Sequence, residues 1–68
     1  MKENISSRLK DLRREFNISQ SSLAKAINVT QKAIDFWEKG INEPKATYII
    51  RLATFFSVTT DYMLGVEK

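Results

Sequence analysis

The chain has 68 residues, enough for one small domain but not for a second domain or a large catalytic cleft. It contains no cysteine and no histidine, which excludes disulfides and thiolate metal sites and removes the commonest general base. Eleven Lys and Arg against eight Asp and Glu give a net charge of +3, which permits a polyanion partner without requiring one.

Targeting and catalytic signals are missing from the sequence. No apolar run approaches the roughly 20 residues of a membrane span, and the opening MKENISSRLK lacks the apolar centre of a secretory signal. We therefore expect a soluble, cytoplasmic protein with no membrane partner. Without a glycine-rich phosphate loop or paired inward carboxylates, we expect neither an enzyme nor a bound cofactor or metal.

The first predicted helix runs from about 5 to 16. Its apolar residues recur at helical spacing on one face: Ile5, Leu9, Leu12 and Phe16. Asn17 follows, and asparagine tolerates the left-handed conformation that ends many helices.

A second, short helix is predicted to begin after Ser19, a typical N-cap residue. Its apolar side consists of Leu23, Ala24 and Ile27. Asn28 can then turn the chain, and Thr30 can cap a third helix that ends at Gly40. Residues 19–40 therefore have the pattern of helix, very tight turn, helix.

The third helix has two different sides on a helical wheel. Its apolar side holds Ala33, Ile34 and Trp37, and its opposite side holds Lys32, Asp35 and Lys39. Phe36 falls at the edge of the exposed side, next to the buried Trp37. The consecutive pair Phe36 and Trp37 thus predicts the Trp37 ring in the core and the Phe36 ring near solvent.

Beyond the loop around Pro44, a fourth helix is predicted from an apolar stripe: Ile49, Leu52, Ala53 and Phe56. Thr59 can cap a fifth, very short helix that ends before Gly65. Strand alternation, repeats and linkers are absent from the sequence. The fold class is therefore all-α, with five short helices in a single domain covering residues 1–68.

The motifs along this chain resemble the phage repressor and Cro type of helix-turn-helix domain, the XRE-like family, over about residues 5–64. They are RLK-x-LR, SQ-x-x-LA, an I-x-V turn, T-x-x-x-I-x-x-W-E-x-G, a Pro, and LA followed by V. The resemblance implies a compact, lambda-repressor-like domain whose helix 30–39 reads the major groove. Asn17, Asn28 and Ser57 stand where such domains often carry glycine, and at Ser57 we expect a different local turn.

The same resemblance implies a prokaryotic or phage transcriptional regulator, foremost a repressor, that binds double-stranded DNA in the cytoplasm at the nucleoid. The implied site is a short inverted repeat bound by a homodimer. An antitoxin-like or other protein-interaction module of the same fold is the alternative, and a protein partner could coexist with DNA.

Four residues of the third helix are candidates for base contacts. Gln31 could pair with adenine N6 and N7, and Lys32 could donate to guanine O6 or N7 or to a phosphate. Asp35 could accept from a cytosine amino group, or form an i, i+4 ion pair with Lys39 instead. Phe36 could touch a thymine methyl group, or pack against the loop at Asn42.

Polar residues around this helix are candidates for DNA backbone contacts, although each could be ordinary solvated surface. They are Gln20, Arg13, Lys39, Asn42 and Lys45. In the resembling family, an Arg and a Glu at the positions of Arg13 and Glu38 form a partly buried ion pair. Here that pair would set the angle of the recognition helix.

A second apolar surface is expected near the C-terminal end. Its members are Tyr48, Phe55, Tyr62 and Met63. They form either a homodimer interface, as the resemblance implies, or an extended edge of the core. In a dimer, two recognition helices would lie about 34 Å apart, one turn of DNA.

Overall fold

The computed structural model describes residues 4–66, which form five α-helices. The helices are α1 (Ile5–Glu15), α2 (Gln20–Ile27), α3 (Gln31–Lys39), α4 (Ala46–Phe56) and α5 (Thr60–Leu64). No strand occurs within the described range, and the all-α prediction with its five helices is confirmed. No helix in this part of the chain is long and apolar enough to cross a membrane.

Side-chain caps open four of the helices. Ser19, Thr30 and Thr59 each accept a hydrogen bond from the backbone N–H three residues later, so all three predicted caps are confirmed. Asn4 caps α1 in the same way. Helix α4 begins at Ala46, and the side chain of its N-cap residue, Lys45, makes no capping hydrogen bond. The capping bonds of the other four helices span three residues, so one side chain encodes each of them.

Each helix is closed by a residue in the left-handed conformation. These residues are Asn17, Asn28, Gly40, Ser57 and Gly65, with φ between 53° and 80°. The closing pattern is the Schellman motif. At the end of α3, for example, the Gly40 N–H donates to the Trp37 carbonyl at 3.2 Å and the Ile41 N–H donates to the Phe36 carbonyl at 3.0 Å.

The expectation of a different turn at Ser57 is wrong. Ser57 adopts φ +59°, and the following Val58 N–H reaches back to the Ala53 carbonyl at 2.9 Å, as in the other four helix ends. The two Schellman hydrogen bonds satisfy carbonyls that α4 would otherwise leave unpaired. They hold serine in a conformation that costs roughly 1–2 kcal/mol for an L-residue.

One apolar core lies between the helices, with members from all five. They are Ile5, Leu9, Leu12, Leu23, Ala24, Ile27, Ile34, Trp37, Leu52, Ala53, Phe56 and Met63. Three members of the predicted apolar faces depart from expectation. Phe16 is half exposed, with its ring edge-on to Phe56 at 5.0 Å, and Ala33 and Ile49 are only partly buried. Phe16 lies beyond the last turn of α1 and so covers the rim of the core.

Candidate nucleic-acid interface

Helix α3 is fixed to the core along its inner side. Ile34 is fully buried and Trp37 is 6% exposed, as the wheel predicted. The Trp37 ring lies 5.7 Å from that of Tyr48 on α4. Only Asn28, Val29 and Thr30 separate α2 from α3, so the pair forms the tight helix-turn-helix that the sequence predicted over 19–40.

A buried ion pair holds the C-terminal half of α3 against α1. The Arg13 Nη2 donates to Glu38 Oε1 at 3.1 Å, and Nε donates to Oε2. The structure therefore brings together the two residues that the resemblance paired. The hydrogen bond to Glu38 raises the pKa of Arg13 above its ordinary value, so the guanidinium stays charged.

The same guanidinium also reaches the turn between α1 and α2. Its Nη1 donates to the Ile18 carbonyl at 3.1 Å. All three nitrogens of Arg13 thus have partners inside the protein, and its side chain is only 20% exposed. Arg13 mainly positions α3, and a phosphate contact would have to use its remaining N–H groups.

Gln20 joins α2 to α3 rather than projecting freely into solvent. Its Nε2 donates to Glu38 Oε1 at 3.1 Å and to Asp35 Oδ1 at 3.3 Å. Both amide hydrogens are therefore engaged. The predicted phosphate contact through this amide would require it to leave the carboxylates, whereas the backbone N–H groups at the start of α2 remain suitable donors.

Two further contacts position the motif and were missed by the sequence reasoning. The Ser6 hydroxyl on α1 donates to the Trp37 carbonyl at 2.8 Å, near the end of α3. Arg51 on α4 donates to the Ile27 carbonyl at 3.1 Å, at the end of α2, and lies over the Tyr48 ring. No local sequence signal indicates the Ser6 contact, because its partner is 31 residues away.

The outward side of α3 carries the residues predicted to touch bases. Gln31 and Lys32 are exposed in its first turn, and Asp35 and Phe36 are partly buried one turn later. The Lys32 ammonium lies 5.7 Å from the centre of the Phe36 ring. Lys32 and the Phe36 ring thus lie side by side on the outward side of α3, and Gln31 lies at its N-terminal end.

Asp35 is already paired within the protein. Its Oδ2 lies 2.9 Å from the Lys39 ammonium, the i, i+4 alternative that the sequence offered. The hydrogen bonds from Lys39 and, less strongly, from Gln20 lower the pKa of Asp35 below its ordinary 3.8. A cytosine contact by Asp35 would compete with these partners, and the pairing offsets its negative charge near the face of α3.

The loop after α3 and the start of α4 supply exposed polar groups beside this face. Lys39, Asn42 and Lys45 are all exposed, and so is the acidic Glu43 between them. Lys39 forms an ion pair with Asp35, whereas Lys45 is the N-cap residue of α4. These positions are compatible with contacts to a polyanion along the rim.

One of the proposed dimer-interface residues is misassigned. Met63 has no exposed surface and lies in the core, so it cannot contact a second copy. Tyr48, Phe55 and Tyr62 are partly buried and have partners in their own chain, including the Arg8 guanidinium 4.0 Å above the Tyr62 ring. Within residues 4–66, no cluster of acidic side chains could hold a metal ion.

Comparison with known proteins agrees with this arrangement. A family model described as Helix-turn-helix matches residues 9–63. The HTH-type transcriptional regulator ImmR of Bacillus subtilis is 25% identical over 65 residues, which cover 96% of this chain and 51% of ImmR. The HTH-type transcriptional activator BcrR of Enterococcus faecalis is 36% identical over 61 residues, covering 90% of this chain and 30% of BcrR. The chain therefore spans about half of the first relative and less than a third of the second.

The fold is also similar to solved structures. The P22 c2 repressor, determined in complex with a synthetic operator, has a TM-score of 0.89 and 26% identity, and the match covers 96% of this chain and 98% of that one. A transcriptional regulator from Listeria innocua gives a TM-score of 0.89 with 24% identity, covering all of this chain and 64% of the other. The second likeness concerns the fold alone.

Proposed function

Because this chain belongs to the helix-turn-helix family, we propose that it binds double-stranded DNA sequence-specifically as a prokaryotic or phage transcriptional regulator. The observation that carries the proposal is the two-sided character of α3. Its inner side is locked to the core through Ile34, Trp37 and Glu38, while Gln31 and Lys32 are exposed in its first turn. A helix held in this way can present side chains to the major groove with a fixed orientation.

In this proposal, Gln31 and Lys32 read base edges. The Gln31 amide offers a donor and an acceptor that match adenine N6 and N7, and the Lys32 ammonium can donate to guanine O6 or N7. Lys39, Asn42 and Lys45 contact the DNA backbone, where they fix the register of α3 but carry no sequence information.

The proposed complex contains two copies of the chain on a short inverted repeat. With Met63 assigned to the core, the interface would use Tyr48, Phe55 and Tyr62, whose rings are only partly buried. A two-fold arrangement would place the two α3 helices about 34 Å apart. The protein would act on DNA at the bacterial nucleoid in the cytoplasm, where occupation of a promoter blocks transcription.

A charge-reversal experiment tests the proposal. Binding to a selected duplex is measured at several salt concentrations for the wild type, Lys32→Glu and Lys25→Glu. Lys25 is a matched control because it is an exposed lysine in the last turn of α2, outside the proposed reading face. We expect Lys32→Glu to weaken binding at least fivefold, since a good base contact contributes about 1–3 kcal/mol.

Salt dependence separates this function from the alternative. Wild-type affinity should fall steeply between about 50 and 200 mM salt, as it does when several phosphates are neutralised. The proposal would be contradicted if the affinity for DNA did not change with salt concentration, or if Lys32→Glu and Lys25→Glu weakened binding equally. A protein-interaction module of the same fold would instead keep its partner when Lys32 is reversed.

A further inference from the structure

We propose that Lys32 and Phe36 form one reading unit, and that this unit selects a guanine within two base pairs of a pyrimidine that carries a 5-methyl group. The pyrimidine can be thymine or 5-methylcytosine. The proposal rests on DNA binding by α3 and specifies the base step that the helix would read.

The first argument is the arrangement of the two side chains. Lys32 and Phe36 are i, i+4 neighbours, and the ammonium lies 5.7 Å from the ring centre. Lys32 is exposed and forms no ion pair with any residue in the range 4–66. The Lys32 ammonium is therefore not paired with a carboxylate, whereas that of Lys39 is. The Phe36 ring restricts where the Lys32 ammonium can lie.

The second argument is the position of the Phe36 ring. Phe36 occupies the last turn of α3, where its carbonyl accepts the Ile41 N–H at 3.0 Å in the Schellman motif. This bond fixes the backbone from which the ring projects. The ring is partly buried and lies beside the exposed Lys32, and it offers an apolar surface that cannot hydrogen-bond a base edge.

The distance between the two groups sets the spacing of the bases. Successive bases along one strand are about 3.4 Å apart, so two steps span about 6.8 Å. The 5.7 Å separation of ammonium and ring centre is shorter than two steps. It is longer than one step, so a guanine held by Lys32 and a group touched by Phe36 lie within two base pairs of each other.

The chemistry of the major groove identifies the second base. The apolar group that a pyrimidine offers there is the methyl on C5, which thymine carries and cytosine lacks. 5-Methylcytosine has the same methyl at the same carbon. An aromatic ring responds to that methyl group whichever of the two bases bears it, so the unit should distinguish methylated from unmethylated pyrimidines.

The test uses a duplex enriched from random sequences and four versions of the pyrimidine that lies within two base pairs of the guanine. Thymine against uracil, each opposite adenine, removes only the methyl group, and 5-methylcytosine against cytosine, each opposite guanine, adds only that group. We expect the methylated member of each pair to bind about fourfold more tightly, the factor expected for burying one methyl-sized group. Equal binding within both pairs would overturn the inference.

Variants assign the effect to the proposed residues. Phe36→Ala and the bulkier Phe36→Leu should reduce the methyl preference, with Phe36→Ala bringing both ratios to about one. Phe16→Ala is the matched control, because it removes an equally large, half-exposed ring that lies outside α3 and outside the proposed dimer interface, and it should leave both ratios unchanged. Lys32→Met should lose preference for guanine over 7-deazaguanine, which lacks the N7 acceptor. A Phe16→Ala effect as large as that of Phe36→Ala would contradict the assignment.

Failure of this inference can be told from failure of the proposed function. A selected duplex that binds tightly but shows equal affinity for the methylated and unmethylated pyrimidines overturns the reading unit and leaves DNA binding intact. If no duplex is enriched at all, the proposed function fails, and the inference fails with it.

Discussion

Replacing Arg13 by methionine removes the cation from a pair in which the two partners are unequally buried. The Glu38 side chain is 4% exposed, against 20% for Arg13. After the replacement, Glu38 would keep the Gln20 amide at 3.1 Å as its hydrogen-bond donor among the described contacts. Burying the Glu38 carboxylate without a cation lowers the free energy of unfolding by roughly 3–5 kcal/mol. This loss is comparable to the net stability of about 3–5 kcal/mol available to a domain of this size.

The reverse replacement, Glu38→Leu, should cost less. The guanidinium would keep the Ile18 carbonyl at 3.1 Å and its exposure to water, so we expect a loss of about 1–3 kcal/mol. The double variant Arg13→Met/Glu38→Leu leaves no unpaired charge. It should therefore be more stable than Arg13→Met alone.

Urea unfolding measures all four proteins, with the fluorescence of the single tryptophan, Trp37, as the signal. An osmolyte added equally to every sample keeps the weakest variant folded at the start of the titration. The reasoning is refuted if the two single losses add up to that of the double variant, or if Glu38→Leu is the more damaging change. Either result would mean that the pair is not coupled in a buried setting.

Three other variants test separate features of the fold. Ser57→Gly should raise the free energy of unfolding by about 1 kcal/mol in urea, because it relieves the left-handed serine at φ +59°, and a decrease would contradict that explanation. Trp37→Ala should lower that free energy by roughly 3–5 kcal/mol, measured by circular dichroism, and a loss below about 1 kcal/mol would show that the ring is not part of the core. Lys39→Met should raise the pKa of Asp35 toward 3.8, measured by carboxyl NMR, and an unchanged pKa would mean that Lys39 does not cause the shift. Since folding depresses this pKa, the stability that Asp35 contributes is complete above about pH 3.8 and is lost as pH falls through the lower folded value.

Local chemistry made much of the fold predictable. Ser19, Thr30 and Thr59 cap helices through bonds that span three residues, and the left-handed ends at Asn17 and Gly40 depend on one residue each. Ser57 was misjudged because its conformation is held by the Val58 N–H and the Ala53 carbonyl, whose bond outweighs the preference of serine itself.

Long-range contacts account for what the sequence did not predict. The Ser6–Trp37 and Arg51–Ile27 hydrogen bonds depend on how whole helices pack, which no spacing rule indicates. Met63 was placed on the surface because α5, with five residues, is too short to define an apolar face. The outward position of Lys32 was predictable, since the nine residues of α3 cover more than two turns.

Selection of bound sequences from random duplex DNA tests the central claim most directly, with Lys32→Glu run in parallel. The account predicts one enriched motif for the wild type, arranged as an inverted repeat with half-site centres about 10–10.5 base pairs apart. It also predicts that Lys32→Glu loses that enrichment. A folded wild-type protein that enriches no sequence, or a Lys32→Glu variant that enriches the same motif equally well, would contradict sequence reading by α3.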